Sequence, residues 1–389
     1  MLRAILILSI LIPLSSYGDV HQRRGNGSGI GMWAPLTTDL SDERGPDGTL
    51  TRATASICDP AQGTGVSILS SGDACRSSTT GVRMAPAVTN KTLNSDAVNL
   101  WVANSTTVTA DHAAAPDGTM TADRVQMNAN GDYVRAGSGA TSCTANTDIV
   151  VSAWVKSLTA SCDVYLGNAY GTGFPAIVEL ITVPTTWTRV WTQKVAHTDG
   201  NCHLLVYRYD ASATCTDFLV WEGQIEESSH SAPMPGCHTG GAEATCDAET
   251  LVYSPAGIRP SRGTLSMSVT LGDASSSDWA SDIMFAEIDA SSTWQVYYDE
   301  SAGHVIFQAG GQAVTMAQVM ASWTSYTVQV SWNYGMPLII SVDGGTKTYS
   351  GDNYSEPTWS GDLYLGSSVA GTAQGTLMIS DVKGYTWYR

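Results

Sequence analysis

The chain has 389 residues, enough for two ordinary domains with their own cores. Only 14% of its residues are charged, and Gly (38), Trp (12) and Tyr (16) far outnumber Phe (4), a profile that favours strands over helices and half-wet aromatic surfaces over dry ones. The formal net charge of −17 repels nucleic acid and anionic membrane surfaces, so neither is an expected partner.

In chain order, residues 1–18 read as a secretory signal. Arg3 supplies the positive charge, Ala4 to Leu14 the apolar stretch, and Ser16-Tyr17-Gly18 a small-residue cleavage site. No later segment is apolar enough to span a bilayer, so no membrane insertion is expected after cleavage. Residues 19–49, with Arg23-Arg24-Gly25-Asn26-Gly27-Ser28-Gly29, read as a flexible linker. The eight cysteines (Cys58, Cys75, Cys143, Cys162, Cys202, Cys215, Cys237, Cys246) suit disulfides in an oxidising compartment. Sequential pairing is the simplest expectation. Cys237–Cys246 is its best member, because those two flank Thr239-Gly240-Gly241.

Residues 50–235 carry short strands between turn signals such as Asn130-Gly131-Asp132 and Asp199-Gly200-Asn201. In Asp148 to Lys156, the residues Ile149, Val151, Ala153 and Val155 share one face, and Ser152, Trp154 and Lys156 the other. His203 to Tyr209 and Phe218 to Ile225 are further strands. Residues 236–247 hold two cysteines and little apolar material and read as a linker. From 248 to 389 the alternation resumes, with Leu265, Met267, Val269 and Leu271 opposing Ser266, Ser268 and Thr270. The expected fold class is all-β, two antiparallel β-sandwiches in series.

Several segments carry a resemblance. Leu50-Thr51-Arg52-Ala53-Thr54 comes first, then Gly81 to Asn90 (a Gly, an apolar stretch, a Pro and a Thr-Asn pair) and Ala115-Pro116-Asp117-Gly118-Thr119. Thr121-Ala122-Asp123, Val151 to Lys156, Thr186-Trp187-Thr188-Arg189-Val190 and Val220 to Glu227 follow. In this order they resemble a family of phage tail-associated and bacterial secreted proteins. The resemblance implies a jelly roll similar to carbohydrate-binding modules, followed by a concanavalin A-like lectin or glucanase sandwich; Gly263-Thr264-Leu265 and Val342-Asp343-Gly344 fit the latter. The signal segment and the cysteines imply a secreted, extracellular or cell-surface location, or a virion if the chain is phage-encoded.

Sugars present C–H faces that stack on aromatic rings, while carboxylates, amides and Arg bind their hydroxyls. The expected partner is therefore a glycan or polysaccharide, and the candidate ligand-binding residues are Trp154, Lys156, Arg189, Trp191, Tyr165 and Tyr207, with Tyr209 beside them. The competing reading of each tryptophan is packing in a core or against a loop. A homo-oligomer is compatible with the sequence. Calcium is a candidate structural ion, with Asp117, Asp123 and Asp217 as ligands, although no EF-hand spacing occurs. Two other functions stay open. One is a structural subunit of a phage tail or surface appendage. The other is a glycoside hydrolase using Glu287 and Asp289, for which no second glutamate follows in the strand. No HExxH, GxSxG or phosphate-binding Gly loop is present, and the expected protein is not an enzyme.

Overall fold

The computed structural model describes residues 81–136, 141–168, 177–195, 201–227, 233–234, 236–254, 258–272, 282–288, 294–345, 348–349, 353–355, 359, 361–368 and 377–385. N-terminal to these it describes the strands Ile30–Ala34, Thr49–Thr51, Ser56–Cys58, Ser67–Leu69 and Arg76–Ser77. The proposed signal, Cys75 and Asp289 lie outside the described residues. The fold is all-β, as the composition requires. Among the described residues the only helical turn is the 3₁₀ segment Val98–Leu100.

The first sandwich has two five-stranded antiparallel sheets. The front sheet runs in the order Thr188–Val195, Asp148–Ser157, Asp217–Glu227, Ala122–Met127 and Thr106–Ala113. The back sheet runs Ile177–Val183, Cys162–Asn168, Leu204–Tyr207, Tyr133–Arg135 and Val102–Asn104. Their inner faces form one core. Ile149, Val151, Ala153 and Val155 enter it from the front sheet, as alternation predicts, and meet Val164, Leu166, Leu204 and Val206 from the back sheet.

Two disulfides close this sandwich, Cys143–Cys202 and Cys162–Cys215. Sequential pairing therefore fails for these four cysteines and holds for Cys237–Cys246. Strand length is the reason. Cys143 and Cys162 flank the ten-residue strand Asp148–Ser157, whose ends lie roughly 30 Å apart, far beyond disulfide reach.

The second sandwich is built from both ends of the chain. Its eight-stranded sheet runs Thr348–Tyr349, Ile339–Val342, Ser325–Asn333, Arg262–Leu271, Leu377–Tyr385, Gly81–Met84 and Arg76–Ser77, with Ile30–Ala34 also paired to Leu377–Tyr385. In the seven-stranded sheet Thr49–Thr51 pairs with Thr250–Tyr253. The order then continues through Leu363–Leu365, Ile283–Ile288, Trp294–Asp299, His304–Ala309 and Gln312–Ala317. Val82 and Met84, both wholly buried, belong to this core.

The expected boundaries at 49/50 and 247/248 are thus corrected. Residues 30–34, inside the expected linker, form a paired strand, and the strands Thr49–Thr51, Arg76–Ser77 and Gly81–Met84 join the sheets of the second sandwich, where Val82 and Met84 enter its core. The first sandwich is inserted between Met84 and Thr250. The chain crosses between the two at a neck. There Val88–Asn90 pairs with Ala244–Cys246, the Glu249 amide donates to the Ala85 carbonyl (3.0 Å), and Cys237–Cys246 adds a covalent staple. The expected linker at 236–247 is an ordered part of this neck.

Candidate functional site

The outer face of the front sheet, where sequence alternation puts Trp154, is covered. Trp154 points away from the main core but is only 1% exposed. It packs with Ala115, Ala122, Trp221 and the half-buried Trp187 in a second small core. The lid on this cluster is the turn between Thr106–Ala113 and Ala122–Met127. The Trp187 indole N–H donates to the Ala114 carbonyl (3.2 Å) and that of Trp221 to the Thr121 hydroxyl (3.0 Å). Gly118, at φ +85°, lets the turn reverse, and Asp117 accepts from the Thr119 amide and hydroxyl. No open ring face is left on Trp154 for a sugar.

The remaining front-sheet candidates have partners of their own. Arg189, in register beside Trp154, donates to the Met234 carbonyl (2.7 Å) and the Ser152 hydroxyl (3.0 Å). Trp191 is half-buried opposite Ser152, and Lys156 is half-buried opposite Leu219. The neck covers this part of the face. Asn90, with no exposure, donates to the carbonyls of Gly223 (3.1 Å) and Cys237 (2.7 Å) and accepts from the amides of Thr92 (2.9 Å) and Ile225 (3.1 Å).

The outer face of the back sheet is open and carries a row that crosses all five strands. Leu180 lies in register with Tyr165, Tyr165 with Tyr207, Tyr207 with Tyr133, and Tyr133 with Asn104. Strand spacing makes the row roughly 19 Å long. Tyr209, just past the end of its strand, leans back over the row. Its ring centroid is 5.7 Å from that of Tyr165 and 5.4 Å from that of Tyr207, while Tyr133 and Tyr207 are 6.0 Å apart. Interplanar angles of 83°, 61° and 84° mean that neighbouring rings meet edge to face, so the surface is corrugated rather than flat. Tyr209 is 57% and Leu180 41% exposed.

Polar groups flank these rings. The Tyr165 hydroxyl donates to both Asp210 oxygens (3.3 and 3.2 Å), and Asp210 also accepts from the Ser212 amide. The Asn104 amide, anchored on the Gly131 carbonyl (3.0 Å), ends the row. Asp163, two residues before Tyr165 on the same strand, accepts from Thr182. Desolvation, then the Asp210 carboxylate, holds Tyr165 above the ordinary phenol range; desolvation, then the neighbouring tyrosines, does the same for Tyr207. Both hydroxyls therefore stay protonated donors near neutrality.

The structure thus joins Tyr165 and Tyr207 in one site with Tyr209, Tyr133, Leu180 and Asn104, and places Trp154, Arg189, Trp191 and Lys156 on the opposite sheet. Tyr133 was not anticipated. Its signal is the Asn130-Gly131-Asp132 turn, after which Tyr133-Val134-Arg135 alternates outward, inward, outward. The candidate calcium ligands separate. Asp123 accepts from the amides of Asn99 and Asp111 (2.7 and 2.8 Å), Asp217 pairs with Arg124 (2.7 and 2.5 Å), and Asp117 serves its own turn. Among the described residues no group of three or more His, Cys, Asp or Glu side chains is arranged to hold a metal ion. In the second sandwich Glu287 is 5% exposed and lies in register between Gln295 and Tyr364.

No family model matches the chain and no curated protein is significantly similar to it. Among solved structures it is similar to the N-terminal CBM22-1–CBM22-2 tandem domain of Paenibacillus barcinonensis Xyn10C, at 12% identity over 78% of this chain and 98% of that one, with TM-score 0.27. It is also similar to Trypanosoma rangeli sialidase (9% identity, 69% of this chain, 59% of that one, TM-score 0.29) and to domains LG4-5 of the mouse laminin α1 chain (12%, 67%, 91%, TM-score 0.23). TM-scores this low carry no argument about ligand or activity, so the functional reading rests on this chain's own residues.

Proposed function

We propose that this chain is an exported, non-catalytic glycan-binding protein whose ligand lies across the tyrosine row of the back sheet. The observation that carries this reading is the open row Leu180–Tyr165–Tyr207–Tyr133–Asn104 with Tyr209 leaning over it. It combines ring faces and edges for sugar C–H groups with hydroxyl, amide and carboxylate partners for sugar hydroxyls. Its length suits several sugar rings in sequence, its corrugation suits a single soluble chain, and Asp163 and Asp210 disfavour anionic glycans. Three disulfides among the described residues support an oxidising, extracellular setting.

The test is a glycan array on the mature chain, followed by titration calorimetry on the strongest hits. Binding to uncharged linear glycans supports the reading. A folded protein that binds no glycan class overturns it. The second reading is a structural subunit that packs this face against another chain, favoured by the exposure of Leu180 and Tyr209; sedimentation of the free protein as a stable oligomer would support it.

A further inference from the structure

The strand Asp217–Glu227 carries polar side chains at alternate positions on its outward face, and each one grips the neck. Glu226 Oε1 accepts from the Met234 amide (2.9 Å) and from Gln224 Nε2 (3.2 Å). Gln224 Oε1 accepts from the Cys237 amide (3.0 Å). Glu222 Oε2 meets His238 Nδ1 at 3.1 Å, and His238 Nε2 faces Asp96 at 3.7 Å. Glu222 and Glu226 are each 1% exposed, and neither the second oxygen of Glu226 nor that of Glu222 has a hydrogen-bond partner. Glu222 sits at φ +51° beside the irregularity where the register with Asp148–Ser157 shifts, which turns its carboxylate toward the neck.

We propose that this three-rung ladder is a pH-released latch: protonated, it clamps Met234 and residues 236–239 to the front sheet, and deprotonated, it lets them lift while both sandwiches stay folded. The charged groups around it fix the sign. His238 is faced by Glu222 from the strand, by Asp96 from the segment that follows the neck's first strand, and by Asp117 from the turn that covers Trp154. Glu226 is faced by Arg189 from the neighbouring strand, with Gln224 and the Met234 amide as its other contacts.

Burial pushes Glu226 up to about 7, against the opposing pull of Arg189. The Glu222 hydrogen bond raises His238 above its ordinary value. Both groups therefore hold their protons more tightly when the neck is docked, so docking takes up protons. The Glu226 contribution is complete below its ordinary 4.5 and is lost as pH rises through about 7; that of His238 is complete below its ordinary 6.5 and is lost as pH rises through its raised value. At that point a bare carboxylate is buried at one end of the ladder, and three carboxylates face a neutral imidazole at the other. The disulfides Cys143–Cys202 and Cys162–Cys215 and the main core do not titrate with it.

Hydrogen exchange on the full chain from pH 5.5 to 8.5, expressed as protection factors, tests the latch. The expected result is that protection at Met234 and residues 236–239 falls at least tenfold more than protection in Asp148–Ser157, and that Glu226→Gln with His238→Gln removes this difference. Neck protection that tracks the core at every pH in the wild-type chain overturns the proposal without recourse to any variant. So does a folded double variant that keeps the wild-type profile.

Discussion

Asn90 joins three segments through one side chain, since its four hydrogen bonds tie the strand Val88–Asn90 to Gly223 and Ile225 on the front sheet and to Cys237 on the neck. Removing it strands four buried backbone groups, each costing about 1–3 kcal/mol when unpaired. Asn90→Ala should therefore lower stability by at least about 3 kcal/mol in urea unfolding; a loss below about 1 kcal/mol would mean that water replaces the amide. Glu226 makes a second prediction. A carboxylate raised from 4.5 to about 7 by burial binds its proton more tightly in the folded state. It stabilises the fold at low pH, and about 3 kcal/mol is lost between pH 4.5 and 8 at about 1.4 kcal/mol per unit. Glu226→Gln keeps an acceptor for Met234 and should flatten that slope, so it should unfold at higher urea than wild type at pH 8 and near wild type at pH 5. Neither role was legible beforehand. The Thr89-Asn90 pair was visible as a motif, but its partners lie more than a hundred residues away.

At the level of strands, alternation in Asp148 to Lys156 assigned the inward face correctly and showed that Trp154 is off the main core. It could not show what lies above Trp154, because the covering turn enters from a different hairpin. Register was equally hidden. Tyr165 and Tyr207 were visible as candidate ligand-binding aromatics, but only strand pairing reveals that they share a face and that Tyr133 and Leu180 complete their row. Two substitutions separate these roles. Trp154→Ala removes a fully buried ring and should cost about 3–5 kcal/mol of stability, with glycan affinity unchanged in the fraction that remains folded. Tyr209→Ala removes an exposed ring and should leave the urea midpoint within error while weakening the array's best glycan roughly tenfold. The reverse pattern in calorimetry would move the site to the front sheet.

For the whole molecule, composition and charge gave the all-β class, and the Gly-rich, cysteine-bearing stretch at 236–247 marked a real junction. The assumption that failed was that domains follow one another along the chain. Strands as short as Thr49–Thr51 and Gly81–Met84 carry too few residues for their pattern to name a distant partner. The insertion predicts fragment behaviour. Residues 86–247 own a complete core and three disulfides and should unfold cooperatively when produced alone. Residues 248–389 lack the strands that bring Val82 and Met84 into their core, so they should give no sharp thermal transition. Such a transition in the second fragment would show that the N-terminal strands are dispensable.

The insertion also sets an order in time. The strands of residues 30–84 emerge from the ribosome well before Thr250–Tyr253, which arrives roughly 165 residues later, a delay on the order of ten seconds or more at typical synthesis rates. During that delay the apolar side chains of Val82 and Met84 have no sheet to enter. The inserted sandwich can finish meanwhile, and by pairing Val88–Asn90 with Ala244–Cys246 it brings the two halves of the outer sandwich side by side. A closure across more than a hundred residues becomes a meeting of two short ends, with a correspondingly smaller entropic cost. The inner domain thus acts as the assembly jig for the outer one, and a mutation that slows the inner domain's folding would surface as aggregation of the other.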